Sequence, residues 1–189
     1  MGVLNELVLH EPVLHISEVT ETQLVPAPTV TAAEFEELTK FYRDRKGTKG
    51  TSEVEIDVGL NLIRLYAGVY ESGRLTNRII NVTKPWDVRV SWCLVGCLKE
   101  LICGKWCVNV HFEAIGDTGK EFHLHYPEFH FDCHDDCFHV SIPGREIPVD
   151  RCTTPYKVVA TLIYKSLCGK PGPILGFVEF PTIQFYHAK

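Results

Sequence analysis

The chain has 189 residues, of which 45% are hydrophobic and 23% charged, enough for one domain of ordinary size with a real core. Its formal charge of -5 and pI of about 6.0 argue against a general nucleic-acid binder, which carries a basic face. No apolar run reaches the roughly 18 residues of a membrane span. Met1 to Glu11 lacks a basic signal-like start, so a cytoplasmic setting is expected.

In chain order, residues 1 to about 30 form a mixed lead-in. Val3, Leu4, Leu7, Val8, Leu9, Val13 and Leu14 are too apolar for pure disorder, and Pro26-Ala27-Pro28 breaks any regular element. An apolar segment on such a tether needs a place to bury itself, on its own sheet or on the edge of a neighbouring chain. Thr31-Ala32-Ala33-Glu34 is a capping box, with threonine at the N-cap and glutamate three residues on. Phe35, Leu38 and Tyr42 follow at helical spacing, and Glu36 with Lys40 is a favourable i,i+4 pair. These features predict a helix over about 32–44, ended by Lys46-Gly47. The basic run Arg43, Arg45, Lys46 and Lys49 reads as a solvated linker. Residues 1–51 are thus expected to be an N-terminal extension, and 52–189 a β domain.

Beyond residue 52 the pattern is strand and turn. Strands are expected over 53–58, 61–71, 75–83, 86–95, 105–115, 120–126, 137–143, 156–165 and 174–187. Many short strands with no helix between them predict an antiparallel sandwich or barrel. Asn81-Val82-Thr83 fits a glycosylation sequon, meaningful only on a secretory route.

The densest information lies between Pro85 and Gly116. Trp86, Val88, Val90, Trp92 and Leu94 share one strand face; Trp106, Val108, Val110, Phe112 and Ala114 share another. All three tryptophans fall here, which marks the centre of the core. The two stripes are symmetric about Glu100, which suggests an antiparallel hairpin. In that register Cys93 faces Cys107 and Cys97 faces Cys103, all four opposite the aromatic face and within disulfide range. It also sets Arg89 against His111 and diagonal to Glu113. Three readings of these cysteines compete: thiols covered by another element, cross-strand disulfides, or a four-cysteine metal site.

Together with Tyr156-Lys157-Val158-Val159-Ala160-Thr161-Leu162, these strands resemble an immunoglobulin-like or fibronectin-III sandwich over roughly residues 52–189. The cysteines cluster instead of spanning two sheets, so the immunoglobulin Cys–Trp–Cys frame does not fit. Architecture of this kind says little about function.

A second cluster joins His123 and His125 to His130, Cys133, His134, Cys137 and His139. Imidazole and thiolate are the usual zinc ligands, and an Asp135-Asp136 turn would bring Cys133 and Cys137 together. The alternative is a solvent-facing polar stripe between core residues. No nucleophile elbow, zinc-protease helix, phosphate loop or Cys-x-x-Cys pair is present. The run from Gly172 to Tyr186 is apolar on both faces and reads as a buried central strand, with Pro181 arguing for an edge or a bulge.

Taken together, the residues favour a non-enzymatic β-sandwich acting through protein–protein contact, as a homo-oligomer or a subunit of a larger assembly. A zinc-binding protein or metalloenzyme using the 123–139 cluster is the alternative, and a small-ligand binder with an aromatic pocket is a third.

Overall fold

The computed structural model describes residues 28–44, 51–56, 62–76, 78–96, 99, 102–116, 120–145, 147 and 154–188. The elements are β1 (Thr29–Val30), α1 (Ala32–Asp44), β2 (Thr51–Ile56), β3 (Leu62–Glu71), β4 (Arg74–Leu75), β5 (Ile79–Asn81), β6 (Trp86–Val95), β7 (Gly104–Ala114), β8 (Phe122–Phe131), β9 (Cys137–Pro143), β10 (Pro155–Ser166), β11 (Pro171–Glu179) and β12 (Ile183–Tyr186). The apolar segment 3–14, the proposed helix stop at Lys46-Gly47, and Cys97 lie outside the described residues.

Helix α1 starts where the capping box places it. The Thr31 hydroxyl accepts from the Glu34 backbone N–H at 3.2 Å, and the Glu34 carboxylate accepts from the Thr31 N–H at 2.8 Å. The carboxylate also accepts from the Thr31 hydroxyl at 2.7 Å, so Glu34 titrates below the usual glutamate value, first through the Thr31 backbone N–H and then through that hydroxyl.

The strands form two sheets. The first has the order β1-β9-β6-β3-β4. In the second, β10 is central: β7 and then β8 lie on one side, β11 and then β2 on the other. β12 continues along the β11 side of β10 and pairs with β5. Among the described residues all pairings are antiparallel except β12 with β5, which is parallel. The fold is mainly β and sandwich-like, with one helix among the described residues.

The core lies between the sheets, and its aromatics come from both. Trp92 of β6 and Trp106 of β7 meet edge to face at 5.7 Å, and each contacts Phe138. Phe112 stacks on Phe122 at 4.3 Å. Neither tryptophan N–H finds an acceptor among the described residues. An unpaired buried donor costs about 1–3 kcal/mol. Burying roughly 200 Å² of indole at ~25 cal/mol/Å² returns on the order of 5 kcal/mol, so packing wins.

The expected hairpin does not form. β6 pairs with β3 and β9, whereas β7 pairs with β8 and β10 in the other sheet. The two aromatic stripes face each other across the core instead of lying side by side. Both arrangements bury the same faces, and alternation alone does not choose between them. Arg89 consequently does not meet His111 or Glu113. It binds its own-strand neighbour Asp87 at 2.6 Å and lies over the Tyr70 ring at 4.1 Å.

The C-terminal apolar run is two strands. β11 is sandwiched between β10 and β2, and Pro181, which has no N–H for a ladder, separates it from β12. Pro127 on β8 sits at a bulge: the register between β7 and β8 shifts between Trp106 and Val108. That shift keeps Phe129 and Phe131 in the core after Leu124.

Candidate functional site

The two outer faces of the sandwich differ. On the first sheet, α1 packs across β6 and β9. Phe35, 1% exposed, seals Cys93 and Cys137, with Val30 and Tyr66 around them. Cys93 and Cys137 are direct cross-strand partners, with Cα atoms 4.1 Å apart, and are joined in a disulfide. The adjacent pair Leu94 and Asp136 is hydrogen-bonded at 2.8 Å, so the cysteines occupy the closer, non-hydrogen-bonded site of the ladder. This corrects the expected partner: Cys93 pairs with Cys137, and Cys107 and Cys103 are free thiols on the second sheet's side. The bridge lies within one sheet, unlike the inter-sheet bridge of antibody domains. The face assignment itself holds, since Cys93 points away from Trp92 and beneath a covering helix.

Next to the bridge lies a polar network that the sequence pattern did not flag. Ser91, buried, shares a 2.7 Å hydrogen bond with Nδ1 of His139. The Asp87 carboxylate accepts from the Ser141 hydroxyl at 2.8 Å and from Arg89. His139 titrates below the ordinary imidazole range, first because it is buried and then because Arg89 is close, with Asp87 opposing. A serine beside a neutral histidine is the start of a nucleophile–base pair. Here Ser91 is 1% exposed and lies within a sheet face, closed to a substrate. The signal available in the sequence was the outward parity of Ser91 and His139 on their strands.

The seven proposed metal ligands do not converge. His123, His125 and His130 are exposed along the edge strand β8. Cys133 and His134 lie in the turn before β9, Cys137 is in the disulfide, and His139 is held by Ser91. Among the described residues no group of three or more His, Cys, Asp or Glu is placed to hold a metal ion. Strand alternation aligned the β8 histidines on one face, but the turn carries the later ligands to the other sheet. The sequon asparagine is also turned inward. Asn81 is buried, and its carbonyl oxygen accepts from the Thr83 N–H and hydroxyl at 3.1 and 2.8 Å.

The outer face of the second sheet is of another kind. Cys107, Ile163 and Leu175 form one cross-strand row. Asn109, Thr161 and Phe177 form the next, and His111, Val159 and Glu179 the third. Leu175 is 43% exposed, and Val159, Ile163 and Phe177 are half-buried. Charges rim this strip: Lys157 pairs with Glu179 at 3.2 Å, and Lys165 with Glu128. The one helix described lies on the opposite sheet.

No helix described is long and apolar enough to cross a membrane. Comparison with protein-family models, with curated proteins and with solved structures finds no match to this chain.

Proposed function

We propose that this chain is a non-enzymatic β-sandwich that works through protein–protein contact, assembling with copies of itself through the outer face of the second sheet. The observation that carries this reading is the strip formed by Val159, Ile163, Leu175 and Phe177. It is apolar at its centre and charged at its rim, the usual anatomy of an interface. A second copy is the favoured occupant because the rim is charge-balanced. Lys157 offsets Glu179 and Lys165 offsets Glu128, so two copies of the face do not repel. The likeness to immunoglobulin and fibronectin-III sandwiches adds only an analogy, of modules that act by presenting surfaces. The Cys93–Cys137 bridge supports work in non-reducing surroundings, against a cytoplasmic setting.

The test is light scattering coupled to size exclusion over a range of concentration. Wild-type protein is expected to run as an oligomer, and Ile163→Glu or Leu175→Glu as a monomer with an unchanged circular dichroism spectrum. A wild-type chain that stays monomeric at the highest concentration ends the proposal.

A further inference from the structure

One member of the scattered cluster, His123, has a histidine partner outside it, His111. The two residues are direct cross-strand partners on β7 and β8. Both are exposed, and their rings lie 6.4 Å apart, tilted by 37°. Beneath them the strands are fixed by the stacked Phe112 and Phe122 rings. The same histidines line an open depression of about 500 Å³, together with Glu113, Glu121 and Val159. Glu113 and Glu121 are exposed carboxylates at the rim, so the potential there favours a cation. Lys157, the register partner of Glu113, is engaged with Glu179.

We propose that His111 and His123 together bind one divalent transition-metal ion. Metal–imidazole nitrogen bonds are about 2.0–2.1 Å, which puts the centres of two rings sharing an ion on the order of 5–6 Å apart. The observed separation needs only a small rotation of two exposed side chains. Neutral imidazole suits zinc, nickel and copper, while calcium and magnesium require oxygen ligands. No third protein ligand completes a closed set among the described residues, so water takes the remaining positions and the site is open. His125 and His130 provide an internal control. They sit on the same face of β8, but their partners across the ladder are Asn109 and Lys105.

The experiment is a calorimetric titration of untagged protein with Ni²⁺, free of chelator and reductant, paired with NMR of the histidine ring protons. One saturable site per chain is expected. His111→Ala and His123→Ala should each weaken binding by about tenfold or more, while His125→Ala and His130→Ala leave it unchanged. Paramagnetic broadening should strike the His111 and His123 rings first. All four positions are exposed, so unchanged circular dichroism separates ligand loss from misfolding. The proposal is overturned by a wild type with no saturable binding below about 1 mM. It is equally overturned by binding that survives both the His111 and His123 replacements, or that falls as much with His125→Ala.

Discussion

Removing the bridge beneath α1 gives the most quantitative test of the fold. Cys93 and Cys137 are separated by 44 residues, and their bond closes that loop in the unfolded chain. The loop-entropy relation puts the stabilisation at about 4 kcal/mol, within the ~2–5 kcal/mol seen when native disulfides are removed. For a chain of this size that corresponds to a fall in Tm of roughly 8–16 °C. The perturbation is the double variant Cys93→Ala/Cys137→Ala. Urea denaturation followed by tryptophan fluorescence reports the loss, because Trp92 is adjacent to the bridge and fully buried. The control is Cys103→Ala/Cys107→Ala, which removes free thiols and should cost less than about 1 kcal/mol, as half-exposed sites do. Non-reducing peptide mapping identifies the bond itself. A double variant at 93 and 137 within about 1 kcal/mol of wild type would refute the reasoning. So would a map linking Cys93 to Cys107.

Phe35→Ala should cost about 3–5 kcal/mol, as for other buried phenylalanines. Hydrogen exchange should show protection lost in α1 while β7 and β10 keep theirs; uniform loss would argue against a helix docked through this one ring. Gly144→Ala should destabilise by about 1–3 kcal/mol, because a Cβ there runs into the Trp86 indole; an unchanged urea midpoint would remove that contact from the account. His139 is protonated more readily in the unfolded chain than in the folded one, since burial and Arg89 lower its folded pKa. Its contribution is therefore complete above the ordinary imidazole value of about 6.5 and is lost as pH falls through the lower, folded value. His139→Gln should flatten that part of the profile, and a variant with the wild-type slope would assign it elsewhere.

Much of the secondary structure was legible because it rests on short-range physics. The capping box placed α1, and nearly every strand from β3 to β10 falls where alternation predicted one. The alternation also named the core, since Trp86, Val88, Val90, Trp92, Trp106, Val108, Val110 and Phe112 are all buried. What alternation lacks is a partner. The symmetry of Cys93, Cys97, Cys103 and Cys107 about Glu100 was real as arithmetic but had no bearing on pairing. The chain leaves one sheet after Val95 and enters the other at Gly104. Gly96, with φ of 131°, takes a conformation that other residues rarely adopt as the strand ends. Pairing is decided by which sheets can close on which, a non-local choice that a window of ten residues does not contain.

The same division explains the candidate sites. Face parity survives any change of partner, because a strand's two faces are set by its own backbone. Cys93 was therefore placed on the face opposite Trp92, where it lies, while its bonded neighbour was not foreseen and its cover by another element was one of three open readings. His123 was assigned correctly to the outer face of β8, while its cross-strand partner, His111, lay outside the histidine-rich segment. The histidines from His130 to His139 are split by a turn that carries β9 to the other sheet. The histidine closest across the ladder is 12 residues away along the chain. A side-chain pair on a sheet is specified by register, so the chemistry of this surface belongs to cross-strand rows and not to runs of residues. The apolar row of Cys107, Ile163 and Leu175 makes the same point, because no two of its members lie on one strand.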